Sequence, residues 1–228
     1  MSVGQPERTT QDRVINFLVQ ELGYEYLGNV QDDPPHENVE EDILRDWLES
    51  RGVPDQFVQQ VIHDLGKARQ VGGERTLYKA NAEVYEKLRY GLGVKPSPGA
   101  NEQTISLVEW GENWRDNWFH VAEEVPVAGV HDKRPDVVLY VNGIAVAVLE
   151  LKRSTVSVSE GIRQNLDNQQ AGFIPDFFST MQLVMAGNDS QGLHYGTTDT
   201  QEVHYTQWNE QNPSHNPSDP ASEMFQPA

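Results

Sequence analysis

The stretch Arg134–Arg153, RPDVVLYVNGIAVAVLELKR, constrains the fold more than any other part of this chain. Two apolar runs flank Asn142-Gly143, the dipeptide that best supports a tight hairpin turn because both of its residues tolerate positive φ. Runs this continuously apolar belong to strands buried on both faces, so the hairpin is expected at the centre of a sheet. Asp136, Glu150 and Lys152 stand at the margins of that hydrophobic segment. Charged groups beside buried strands call for a chemical reason.

Counting along the hairpin decides whether those groups can meet. Side chains alternate across a strand, so Glu150 and Lys152 share a face. A plain two-residue turn would pair Val141 with Ile144 and set Asp136 against Leu149, leaving Asp136 on the opposite face from Glu150. A joint site therefore requires a shift of one residue. A three-residue loop Val141-Asn142-Gly143, with Gly143 left-handed in a G1 bulge, would pair Tyr140 with Ile144; a bulge elsewhere in either strand would serve equally. Once shifted, two carboxylates converge with an ammonium. Neighbouring carboxylates repel, and the cost falls if a divalent metal lies between them. An oxygen-only ligand set suits Mg²⁺. Asp136, Glu150 and the backbone carbonyl of Leu151 are the expected ligands. Lys152 would orient or help deprotonate an attacking water and offset charge on a pentacovalent phosphate. This is the chemistry of a metal-dependent phosphodiesterase.

Composition narrows the alternatives. The absence of cysteine removes disulfides, thiolate nucleophiles and cysteine-based zinc sites, and the seven histidines form no HxxxH or HExxH pair. No apolar run reaches 18 residues and the opening MSVGQPERTTQDR lacks the shape of a signal peptide, so a cytoplasmic, membrane-free protein is expected. A net charge of −18 opposes a polyanionic partner. Within residues 131–170, however, Lys133, Arg134, Lys152, Arg153 and Arg163 balance Asp132, Asp136, Glu150, Glu160 and Asp167. A phosphate backbone is best tolerated there.

The apolar spacing predicts a helix over 11–22, a second opened by an Asn38/Glu41 capping box, a third through Phe57, Val61 and Leu65, and a fourth ending near Gly91. After KPSPGANEQ the texture turns to strands, interrupted by one helix capped by Ser157 and Glu160. The expected division is a helical part at 1–98, a core at 99–208 and a disordered tail at 209–228. Trp110, Trp114 and Trp118 are expected to pack, two of them in the core or at a domain interface, rather than to stack bases. His120 and His131 are given ordinary surface or capping roles.

RPD…LELK resembles the PD-(D/E)xK nuclease core, and the wider run RPDVVLYVNGIAVAVLELKRSTVSVSEGIRQNLDNQ, with QLVMAGNDSQGLHYGTT, is similar to the N-terminal endonuclease domain of the type I restriction enzyme R subunit. The resemblance implies an α/β, restriction-endonuclease-like core with a mixed central sheet flanked by helices, preceded by a mainly helical segment. It implies Asp136, Glu150 and Lys152 as metal-binding and catalytic positions and Gln164 as the Gln of a QxxxY element. Asn168 stands where the Tyr of that element is expected, and Gln169 or Gln170 is the candidate substitute. Glu83 is the candidate for an additional helix-borne glutamate. Lys133, Arg134, Arg153 and Arg163 are the expected DNA contacts. The implied partners are double-stranded DNA, the methyltransferase and specificity subunits, and the remainder of an R subunit. R subunits of this kind also carry an ATP-driven motor; with no GxxxxGK[ST] present, the chain is expected to be a nuclease portion with Mg²⁺ as its cofactor and ATP needed only by the motor. A catalytically silent DNA-binding or assembly module and a stand-alone repair-type nuclease are the alternatives.

Overall fold

A computed structural model describes residues 7–95, 99 and 101–209. Beyond Asn209, the tail expected to be disordered lies outside the described residues. The architecture is the mixed α/β one expected. Seven strands lie in the order β1 (Glu25–Asn29), β4 (Phe119–Glu123), β5 (Val137–Val141), β6 (Ile144–Leu151), β7 (Leu183–Asn188), β8 (Gly192–Gly196) and β9 (Thr206–Gln207). The β1–β4 and β6–β7 pairs are parallel and the others antiparallel. A separate two-stranded ribbon joins β2 (Leu92–Val94) to β3 (Gln103–Ile105).

The central hairpin is covered on both faces, as its continuous apolar character requires. On one face, Val14, Ile15 and Leu18 of α1 (Glu7–Gln20) pack against Val121, Val137, Ala147, Leu149 and Leu151. On the other, Val138, Tyr140 and Val148 meet Phe177 and Phe178 from the 3-10 turn at Pro175–Ser179. Further along that face, Val158 and Ile162 of α5 (Val158–Asn168) pack on Ala186. Ser157 caps α5, its hydroxyl accepting from the Ser159 amide at 3.3 Å.

A second core joins α2 (Glu41–Ser50), α3 (Asp55–Ala68) and α4 (Leu77–Tyr90) through Leu44, Trp47, Leu48, Val58, Val61, Leu65, Val84 and Leu88. Ile144 belongs to this cluster, so the helical part rests on the turn end of the hairpin. No helix among the described residues is long and apolar enough to cross a membrane.

Three local readings are corrected. Residues 25–29 form a strand, and the helix before them ends at Gln20; once Gly23 takes positive φ, Glu25–Asn29 pair along the free edge of β4. Asn38 does not cap α2. Its Oδ1, the atom a cap would use, accepts from Arg69 Nη1 at 2.8 Å, and its amide donates to the carbonyl of Asp176 at 2.7 Å and to Ser179 Oγ at 3.0 Å, so distant partners hold the side chain away from the helix start. Trp110, Trp114 and Trp118 are 39–49% exposed, while the buried indole is Trp47. The first two keep one side covered by Arg89 and Arg115, whose guanidinium carbons lie 5.1 and 4.4 Å from the respective ring centres.

Candidate active site

Asn142 and Gly143 make a two-residue turn with φ of 53° and 80°, pairing Val141 with Ile144 and Tyr140 with Ala145. The three-residue G1 loop is not formed. Asn142 is wholly buried; its Oδ1 accepts from the Trp118 amide at 2.7 Å and its Nδ2 donates to the Leu107 carbonyl and to Asn117 Oδ1, each at 2.8 Å. Gly143 is equally confined. A Cβ there would fall 2.6 Å from the Glu40 carbonyl oxygen.

The required shift occurs inside β6. Leu139 pairs with Ala147, leaving Val146 as an extra residue. The bulge marks a change of neighbours: the Ala145 amide donates to the Asn38 carbonyl at 3.0 Å, the Val146 carbonyl accepts from Gln182 at 2.7 Å, and β7 pairs from Ala147 onward. Val138 then faces Val148 and Val137 faces Leu149. Continued by one residue, this register puts Asp136 directly opposite Glu150 and on the same face.

The site's hydrogen bonds follow from that register. Asp136 Oδ2 accepts from the Leu151 amide at 2.7 Å, and Lys152 Nζ donates to Glu150 Oε1 at 2.8 Å. Because the N–H and C=O of one strand residue lie along the same edge, the Leu151 carbonyl also faces the Asp136 side. The adjoining Lys152 amide points the other way, to the Gly187 carbonyl. Glu150 is 1% exposed, and its Oε2 has no hydrogen-bond partner.

A buried carboxylate oxygen left without a donor destabilises the charged form. Burial first, and the Asp136 charge second, push the Glu150 pKa up to about 8, against the pull of Lys152. Burial likewise raises Asp136 to about 6, although the Leu151 amide and Lys152 oppose it. Burial would lower Lys152, but the charges of Glu150 and Asp136 outweigh it and hold its pKa above the ordinary value. The two carboxyls thus hold a proton more readily than isolated ones, and a proton on one can be shared with the other.

The residues that could hold a divalent ion here are all oxygen donors. Mg²⁺ is commonly held by one or two carboxylates while keeping several waters, and Asp136, Glu150 and the Leu151 carbonyl offer such a partial shell. Among the described residues no group of three or more His, Cys, Asp or Glu side chains is placed to hold a metal ion, so any ion here would rest on two carboxylates and a backbone oxygen.

The first turn of α1 brings a carboxylate that sequence reasoning missed. The charge of Glu7 acts on both Asp136 and Lys152. Glu83, the earlier candidate, instead pairs with Arg75 at 2.7 Å and Lys87 at 3.4 Å on α4. The opening residues carry no apolar periodicity to reveal a helix beginning at Glu7. Next to it, Gln11 Nε2 donates to buried Glu123 at 2.8 Å and to the Asp136 carbonyl at 3.3 Å, while Arg8 and Tyr26 also bond Glu123. Asp189 accepts from Thr10 and pairs with Arg13. These contacts fasten α1 beneath the carboxylate end of the hairpin.

Gln164 is half-buried one turn beyond Gly161 on α5, and its amide makes no hydrogen bond among the described residues. Asn168 is buried at the far end of the helix. Neither proposed replacement for the missing Tyr turns toward the carboxylates. Gln169 bridges the Asn165 carbonyl and the Asp199 amide, and Gln170 donates back to the Leu166 carbonyl.

The four expected DNA contacts separate by partner. Lys133 lies 4.3 Å from the centre of the Phe173 ring and Arg134 pairs with Glu124 at 2.8 Å. Arg163 is on the exposed side of α5, held by two bonds to Glu202 and one to Glu160. Arg153, adjacent to Lys152, is exposed and has no ion-pair partner among the described residues. His120 is buried beside Glu25 at 3.6 Å, whereas His131 is exposed next to Phe173.

A family model described as type I restriction enzyme R protein N terminus matches residues 4–203. The chain belongs to that family. Over 107 residues the chain is also 26% identical to a Methanocaldococcus jannaschii protein named as a candidate type I restriction enzyme MjaVIIP endonuclease subunit. That match covers 46% of the chain and 10% of the relative, so it spans a small part of that much longer protein.

Proposed function

We propose that this chain is the Mg²⁺-dependent DNA endonuclease module of a type I restriction complex, hydrolysing phosphodiester bonds of unmodified DNA. The observation that carries the reading is the orphaned Oε2 of buried Glu150 beside Asp136, with Lys152 bonded to the other oxygen. Asp136, Glu150 and the Leu151 carbonyl would hold the ion. When bound, Mg²⁺ supplies Lewis-acid stabilisation of the phosphate and lowers the pKa of water. Lys152 positions the attacking water on its free side and offsets charge building on the phosphate oxygens. Glu7, whose charge reaches Asp136 and Lys152, is the candidate for a further acidic group near that water, the role for which Glu83 was the candidate in the sequence. Gln164, with its amide uncommitted, and unpaired Arg153 are the groups best placed to take DNA phosphates; Lys133 and Arg134 follow once released from Phe173 and Glu124.

The substrate under this reading is double-stranded DNA. The partners are the methyltransferase and specificity subunits and the motor portion of an R subunit, which consumes ATP. A cytoplasmic location agrees with that substrate. Residual acidity of the surrounding surface makes tight binding by the module alone unfavourable.

The test is Mg²⁺-dependent nicking of plasmid DNA by the chain alone and joined to the remaining subunits. Asp136→Ala, Glu150→Ala and Lys152→Ala are each expected to abolish cutting in the assembled complex while ATP-driven translocation persists. Wild-type cutting by any of the three would overturn the assignment.

A further inference from the structure

Glu150 has a lateral neighbour that decides how closely a helix can lie on it. On the parallel strand its register partner is Ala186, wholly buried and on the same face. Directly above both is Gly161, in the second turn of α5 and itself buried. A Cβ added to Gly161 would stand 3.1 Å from Ala186 Cβ and 3.5 Å from Cγ of both Glu150 and Lys152.

Glycine is a poor choice for a helix interior because it gives up the most backbone freedom. Here no positive φ demands it. The only local gain is proximity. The α5 backbone can rest close to the stems of both charged residues, and a side chain at Gly161 would hold the helix off through its tight approach to Ala186.

We infer that Gly161, together with Ala186, is a positioning residue for the Glu150–Lys152 pair: their small size lets α5 press the two stems into the arrangement that presents Glu150 Oε2 to a cation. The inference rests on the metal-binding reading of the site. It assigns a function to helix packing that would otherwise count only toward stability. Gly161→Ala removes a helix-weakening residue and asks Ala186 to move by a few tenths of an ångström. Its cost to folding is therefore small, and its Cβ meets the two stems at ordinary contact distance; it acts on them through the small shift of α5 that the tight approach to Ala186 imposes. Gly161→Val places further carbons between α5 and the stems and has a larger effect.

The experiment is a calorimetric titration of Mn²⁺, as a probe for Mg²⁺, into the full chain and into Gly161→Ala, Gly161→Val and the Gly161→Ala/Ala186→Gly double variant, with melting temperatures recorded in EDTA. Gly161→Ala should bind Mn²⁺ about tenfold more weakly, within the range found when groups supporting metal ligands are altered, with its melting temperature unchanged or raised. Gly161→Val should weaken binding further, and Ala186→Gly should restore most of the loss by reopening the 3.1 Å contact. Unchanged affinity in Gly161→Ala would overturn the inference, as would a loss of affinity that tracks a lowered melting temperature or that Ala186→Gly fails to recover. A wild-type chain that takes up no Mn²⁺ would instead defeat the underlying metal-site reading. The two failures are thereby distinguishable.

Discussion

Asp136 stands opposite Glu150 because Val146 has no partner on β5. Without that extra residue, the two-residue turn at Asn142-Gly143 would send the carboxylates to opposite faces of the sheet. The turn and the bulge are thus joint determinants of the site, although neither lies near it.

Asn142 anchors the turn through three side-chain hydrogen bonds. Asn142→Gly keeps the positive φ affordable but removes all three, leaving the Trp118 amide and Leu107 carbonyl without them. The expected loss is about 2–3 kcal/mol of stability in urea unfolding. A loss under about 0.5 kcal/mol would mean that the turn is set by φ preference alone.

Metal-free stability should depend on pH through Glu150. Its folded pKa of about 8 lies above the reference 4.5, so the native state binds the proton more tightly than the unfolded state. The contribution is fully present below the reference value and is lost as pH rises through the interval to about 8. In EDTA at pH 8, Glu150→Gln is expected to unfold at a higher temperature than wild type, by roughly 1–3 kcal/mol equivalent, and the advantage should vanish near pH 4. Equal melting of the two proteins at pH 8 would contradict a strained carboxylate pair.

Among the cations, Arg153 and Arg163 should behave differently. Arg163 is already engaged with Glu202 and Glu160, while Arg153 is unpaired among the described residues. In low-salt duplex binding by the assembled complex, Arg153→Ala should weaken affinity severalfold and reduce the salt slope by about one, and Arg163→Ala should change either little. A larger effect at Arg163 would show that DNA displaces its acidic partners.

Glu7→Gln should lower cleavage by about tenfold or more with the melting temperature nearly unchanged, whereas Glu83→Gln should leave cleavage intact. The reverse ranking, measured on the same plasmid substrate, would return the additional acidic role to α4.

The convergence of Asp136, Glu150 and Lys152 follows only on condition of a one-residue shift, whereas the central hairpin and the helix capped by Ser157 were legible in the sequence because they depend on local chemistry: an Asn-Gly turn, strand alternation and a side-chain cap. The position of the bulge was not. Alternation shows that one residue must be extra, but Val146 is singled out only by β6 changing neighbours from the Asn38 segment to β7. Glu7 was hidden for a related reason. Its helix is recognised by burial of Val14, Ile15 and Leu18, and the first turn is fixed by distant Glu123 and Asp189. Strand β1 escaped notice because Glu25–Asn29 has two glutamate- or asparagine-bearing ends and a glycine, and earns its pairing from the exposed edge of β4.

The most direct measurement is a crystal of the chain grown at pH 8 with Mn²⁺ and examined for anomalous scattering. The account predicts a peak within bonding distance of one oxygen each from Asp136 and Glu150 and of the Leu151 carbonyl, with Lys152 beside it. Well-ordered carboxylates with no peak between them, or manganese bound only at another place, would contradict it.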